Sequence, residues 1–337
     1  DREKELRLID PRDVPGDALV YGAAGVGGGV EEEILERIRR RLGGLPPRER
    51  YMERAVLVEK LMSGYLGEEP YALLAFELGC GNTMLPACIA AMVDKPLIDG
   101  DCCGRAVPEI ELCTLNLAGI PFTPIAAVTP WMETILIKKA LDYGRAEDLC
   151  RYLAVASGGG VTIASAPLRG RELMRSIIPN TVTWAMEVGR AIREAREARR
   201  SPIEALLEAT DGHLLFEGRV TAFKREGRSG FIWGEHRYEG VGPYEGHSFR
   251  VWFKNENLIS WLDEEPYVTC PDLLCAVDAE TGRGLSNWGE GFREGRRIAI
   301  IGVKAADIWR SEEGVRLFNP RHFGFDIDYR PLEELVS

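Results

Sequence analysis

The chain has 337 residues, 45% of them apolar, a length at which one hydrophobic core usually stops growing and two domains are expected. Its 42 Lys and Arg against 53 Asp and Glu give a formal net charge of -11, which argues against a general affinity for nucleic acid or anionic lipid. The longest apolar stretch, 73–93, is broken by Glu77, Asn82 and glycines, and falls short of a membrane span of about 20 apolar residues.

From the start of the chain, β-type runs over 6–9, 18–21, 73–78, 96–99, 125–128 and 161–165 alternate with helical periodicity over 31–42, 48–62, 84–93, 109–118, 146–156 and 182–199. That alternation predicts a layered α/β domain over 1–209. The run Arg193 to Arg200 is interleaved with Glu194 and Glu197 and reads as a solvated helix face. After Thr210-Asp211-Gly212 the segments become short and β-branched or aromatic, over 213–224, 230–238, 248–254, 267–270, 273–277 and 297–303. They predict an all-β domain over 210–337, barrel-like or sandwich, with the tail 319–331 a candidate to pack back on the first domain.

The opening segment is charged, so no secretory signal is expected there. Eight cysteines without C-x-x-C spacing make neither a disulfide framework nor a zinc knuckle, and the expected setting is a reducing cytoplasm. The four histidines, His213, His236, His247 and His322, form no H-x-H or H-E-x-x-H motif.

Three segments carry candidate chemistry. The glycine-rich run Gly22 to Gly29 looks like a turn between a strand and a helix, but Val30 spoils G-x-G-x-x-G and Glu31, Glu32 and Glu33 would repel a phosphate, so no nucleotide cofactor is expected. In Phe76-Glu77-Leu78-Gly79-Cys80-Gly81-Asn82-Thr83 an apolar strand runs into glycines and a helix start, which suits an anion or oxyanion; Asn82 or Thr83 as a plain N-cap is the structural alternative. Glu77, ending that strand, is a costly carboxylate unless paired.

The third segment, 96–111, ends another strand in Asp99 and Asp101 before Gly104, Arg105 and Glu109. Acids at this end of an open α/β sheet stand where such folds bind ligands, and they can serve as a base, hold a divalent metal with Glu109, or cap a turn. Arg105 and Glu109 are four apart, as a helical ion pair would be, or Arg105 faces a substrate anion. Cys102 and Cys103 invite a nucleophile reading, against which stands the tendency of cysteine to be buried and inert.

The blocks Glu77-x-Gly79-x-Gly81-Asn82-Thr83, Asp99-x-Asp101-x-x-Gly104-Arg105-x-x-Pro108-Glu109, Asn255-Glu256-Asn257-Leu258, Pro271-Asp272-Leu273 and Gly324-Phe325-Asp326 together resemble the S-methyl thiohydantoin desulfurase family, whose members are often encoded beside hydantoinase and oxoprolinase-type enzymes. Cys80 and Cys102 stand where that family usually has glycine. The resemblance implies a three-layer α/β domain, a β-barrel-like domain, and hydrolysis of a small thiohydantoin-like ring. Glu77 or Asp101 would be the general base, Arg105 would orient the substrate, and Gly79, Gly81, Asn82, Gly104 and Glu109 would bind it; a divalent metal on Asp99, Asp101 or Glu109 is the other route to an activated water. A homo-oligomer, or a hydantoinase-type partner served by a non-catalytic binding subunit, completes the expectations.

Overall fold

The computed structural model describes residues 5–44 and 50–336; the expected helix start at Arg48 lies outside them. The chain forms two compact units, Asp1–Thr183 with Gly227–Phe231, and Trp184–Glu226 with Ile232–Ser337. The change of composition at 209/210 falls at the end of the helix Pro202–Thr210, just ahead of the first strand of the second sheet.

The first unit holds a mixed sheet of eight strands: β1 Leu8–Ile9, β2 Leu19–Gly27, β3 Ala72–Ala75, β4 Leu97–Asp101, β5 Ile125–Val128, β6 Thr134–Ile137, β7 Gly160–Arg169 and β8 Ile178–Pro179. Their order is β1-β4-β3-β2-β7-β5-β6, with β8 on β4. The pairs β1–β4, β3–β4 and β2–β3 are parallel, and those at β7, β5 and β6 are antiparallel.

Alternation along β2 explains how the sheet is covered, because successive side chains point to opposite faces. Val20, Ala24 and Val26 join a core with Ala146, Cys150 and Ala154 of helix α5. Leu19, Tyr21 and Ala23 join a separate core with Ala55, Val58 and Met62 of α2 and Leu85 and Ile89 of α3. The helices of this unit are α1 Glu32–Leu42, α2 Tyr51–Leu66, α3 Cys80–Met92, α4 Thr114–Leu117, α5 Tyr143–Ala156, α6 Gly170–Leu173 and the start of α7 Thr181–Glu197. Sequence sets their ends: α1 opens on Glu32 and Glu33, closes on Arg39 to Arg41, and stops at Gly43 with φ 74°. Asp142 caps α5 by accepting from Arg145 N at 2.8 Å.

Two expectations are corrected here. Gly22, Gly25 and Gly27 lie inside strand β2, and not in a turn. A Cβ on Gly22 would stand 2.5 Å from the Phe76 ring and one on Gly27 would stand 2.1 Å from Gly159 O, so these glycines admit close neighbours. The helix expected over 109–118 shrinks to α4, and the segment ahead of it is held by carboxylates that accept from its backbone. Cys103 N and Gly104 N donate to Asp101, Val107 N to Glu77, and Ile110 N to Glu147. Arg105 and Glu109 both lie outside any helix.

In the second unit, α7 continues, α8 Pro202–Thr210 starts on a Ser201 cap, and seven strands follow: β9 His213–Arg228, β10 Phe231–Gly240, β11 Ser248–Lys254, β12 Glu256–Leu262, β13 Glu265–Thr269, β14 Leu273–Asp278 and β15 Arg297–Val303. They form one curled antiparallel sheet in the order β13-β12-β11-β10-β9-β15-β14. Strand β12 was not expected from the sequence, and Arg193 to Arg200 are exposed except for the buried Ala195 among them. Short helix α9 Asp307–Arg310 leads to the tail, which clusters with this unit. Asp272, wholly buried, accepts from Ala305 N, Arg310 Nε and Nη2, Tyr329 Oη and Leu332 N, so one carboxylate ties the tail to the sheet.

Candidate active site

Strands β3 and β4 end side by side, with Ala75 opposite Asp101, and the candidate residues follow from those two ends. Glu77 is part-buried. Its Oε1 accepts from Asn82 Nδ2 at 2.8 Å and its Oε2 from Val107 N at 2.7 Å. Burial pushes its carboxyl above the usual range, against those two hydrogen bonds and the positive charges of Arg105 and Arg151.

Helix α3 starts at Cys80 with Gly79 as N-cap and no side-chain cap, so the structural alternative for Asn82 and Thr83 is not what they do. Asn82 bridges instead: its Oδ1 accepts from Gly25 N at 2.7 Å, and its Nδ2 donates to Gly25 O at 3.1 Å as well as to Glu77. Thr83 Oγ1 donates to Glu77 O. A Cβ at Gly79 would come within 2.9 Å of Glu77 Oε1, whereas Gly81 is exposed with open space where its Cβ would be. The helix start is thus open beside a carboxylate whose charge is partly suppressed.

Asp99 and Asp101 have different tasks. Asp99 accepts from Thr183 N at 2.9 Å and Thr183 Oγ1 at 2.5 Å, so it is a tertiary cap on α7 with both oxygens engaged. Asp101 is wholly buried. Its Oδ2 accepts from Cys103 N at 2.9 Å and Gly104 N at 2.8 Å. Its Oδ1 and the neighbouring Thr181 Oγ1 are both buried without a well-formed hydrogen bond. Burial pushes the Asp101 carboxyl up to about 7, with Thr181 and the two amides opposing and the Glu77 charge adding to the rise.

A divalent ion does not fit this pair. Both Asp99 oxygens already accept hydrogen bonds, Asp101 has one oxygen without a well-formed one, and among the described residues neither belongs to a group of three His, Cys, Asp or Glu ligand atoms.

Gly104 turns the chain at φ 69°, and Arg105 is buried with Nε donating to Ala106 O. Glu109 is buried as well. Cys102 and Cys103 are buried with thiols pushed well above their ordinary value, which disfavours the thiolate a nucleophile needs.

The segment is fastened by Arg151 of α5, which the sequence reading passed over. Arg151 Nε donates to Glu147 Oε1 at 2.6 Å, Nη1 to Gly27 O and Gly230 O, and Nη2 to Pro108 O at 2.8 Å. Its guanidinium lies 3.8 Å from the Phe231 ring centroid.

Comparison with known families decides the relationship. The description "S-Me-THD-like, N-terminal domain" matches residues 1–139 and "S-Me-THD-like, C-terminal domain" matches 141–332. The chain belongs to the S-Me-THD-like family. No curated protein matches it significantly. The X-ray crystal structure of a protein from Chromobacterium violaceum, a structural genomics target, is similar in fold, with a TM-score of 0.74 at 20% identity over 97% of this chain and 87% of that one.

Within this S-Me-THD-like chain, the structure brings Glu77, Gly79, Asn82, Asp101, Gly104 and Arg105 into one neighbourhood, in which Glu77 and Asp101 sense each other's charge and Glu77 senses that of Arg105. Gly81 lies at its exposed rim, and Asp99 turns away to α7. In the blocks further along the chain, Asn255 sits at φ 56° and accepts from Ile232 N, and Asn257 Nδ2 donates to Leu274 O. Thr181, Thr183, Glu147 and Arg151 are the contributors missed from sequence. A signal for the last two existed, since they interrupt the apolar stripe Tyr143, Ala146, Cys150 and Ala154 at helical spacing.

Proposed function

We infer that the chain is a hydrolase for a small thiohydantoin-like ring, with Glu77 as general base. The observation that carries this reading is a carboxylate with a raised pKa beside an open, uncapped helix start, with Arg105 close enough to lower it. Glu77 takes a proton from water while the oxygen adds to the ring carbon that bears sulfur. Charge on the tetrahedral intermediate falls on backbone N–H groups at Cys80 and Gly81, at the positive end of α3. Collapse breaks the C–S bond: the added hydroxyl becomes the ring carbonyl by giving its proton to the ring nitrogen of an S-methyl substrate or to the freed sulfur of a thione, and the proton on Glu77 goes to the departing sulfur, releasing methanethiol or sulfide. Asp101 stands behind, shaping the turn at Cys103 and Gly104, and Arg105 orients an acidic ring substituent.

Thiol and sulfide release from a panel of thiohydantoins and S-methyl thiohydantoins tests this, with and without a chelator. Glu77→Gln should lower the rate by about 100-fold or more, while Arg105→Lys raises KM. Chelator should have no effect. A full rate in Glu77→Gln sinks the base assignment, and no release from any substrate favours an accessory binding subunit of a hydantoinase-type partner.

A further inference from the structure

Strand β6 ends the sheet of the first unit, pairing with β5 and, among the described residues, with no other strand. Register decides which of its backbone groups face outward. Thr129 N donates to Glu133 O, so these residues form a hydrogen-bonded pair. Alternation along an antiparallel ladder then makes Ala127–Ile135 and Ile125–Ile137 hydrogen-bonded pairs as well. Thr134, Leu136 and Lys138 therefore direct their N–H and C=O groups away from β5. Thr134, Lys138 and Lys139 are exposed, and Leu141, just beyond, is 85% exposed.

We propose that this edge pairs antiparallel with the same edge of a second copy of the chain, with Leu136 on the twofold axis. The three outward residues are symmetric about Leu136 alone. That register sets Thr134 opposite Lys138, Ile135 opposite Ile137, and Glu133 opposite Lys139. Lysines on a bare strand edge commonly discourage pairing. Here each Lys139 meets a Glu133, twice per dimer, so the edge is complementary to itself. Glu133 is held at the edge by Thr129 Oγ1 at 2.7 Å. Ile135 and Ile137 already pack on one core of the sheet, so two Ile–Ile cross-strand pairs would continue that apolar face through the axis. On the other face Leu136 meets its own copy, flanked by Tyr65, whose ring centroid lies 5.8 Å from Lys138 Nζ.

Sedimentation equilibrium of the full chain between about 1 and 100 µM should give a mass moving toward twice 37.5 kDa as concentration rises. Lys139→Glu, at an exposed position, should weaken association about tenfold while leaving the circular dichroism unchanged, and Glu133→Lys combined with Lys139→Glu should restore it. Oxidised Leu136→Cys should yield a disulfide joining position 136 of two copies, found by peptide mapping, since hydrogen-bonded antiparallel partners sit at about 5.5 Å between Cα atoms. A monomer across the whole range overturns the proposal. So does a dimer that is indifferent to Lys139→Glu and forms no such disulfide.

Discussion

Replacing Asp101 by Asn should stabilise the protein, and by an amount that depends on pH. Folding moves this carboxyl from 3.8 to about 7 by removing it from water. Between those values the folded chain keeps a proton that the unfolded chain releases, so wild-type stability falls as pH rises through the window and levels off above it. At pH 8 the penalty is about 4 kcal/mol, and at pH 5 about 1.5 kcal/mol. Asn carries no charge, its oxygen can accept from Cys103 N and Gly104 N, and its amide can donate to Thr181 Oγ1, which now lacks a well-formed partner. The gain of Asp101→Asn over wild type should therefore grow by about 3 kcal/mol from pH 5 to pH 8. Urea unfolding of both proteins at one-unit pH steps measures it. A difference that stays flat with pH, or a variant less stable at pH 8, would refute the reasoning.

Two further substitutions probe the fastenings of each unit. Arg151→Lys cannot reach Glu147, Gly27 O, Gly230 O and Pro108 O together, and should cost about 3–5 kcal/mol in thermal unfolding of the first unit, since it strands a buried carboxylate. An unchanged midpoint would mean that water or the lysine ammonium satisfies the four acceptors. Asp272→Ala should cost the second unit about 3–5 kcal/mol by leaving Arg310 without its buried partner, and limited proteolysis should then release the tail beyond Arg310; resistance equal to wild type would argue against the clamp.

The sequence exposed the parts governed by local periodicity and hid those governed by contacts made at a distance. Strand β5 and strand β11 occupy the very residues that their short apolar and aromatic runs mark. Strand-end carboxylates were visible because Glu77 and Asp101 close apolar runs. Gly22 to Gly27 read as a turn because glycine ordinarily weakens strands, and the Phe76 ring and Gly159 backbone that require it lie 50 or more positions away in sequence. The division of labour between Asp99 and Asp101 was hidden for the same reason. Both point to one side of β4, and only the arrival of Thr181 and Thr183 at the start of α7 tells them apart.

The discontinuity of the first unit bears on how the protein is made. Its residues 227–231 follow the first 183 only after 43 residues assigned to the other unit. Arg151 emerges from the ribosome 79 residues before Gly230, whose carbonyl it needs. During that interval Arg151 is without the Gly230 carbonyl and the Phe231 ring, and Glu31 is without the Ser229 N–H that donates to it. Completion of the first unit is thereby tied to synthesis of the β9–β10 turn, so a ribosome stalled before Gly230 would carry a first unit without its last segment.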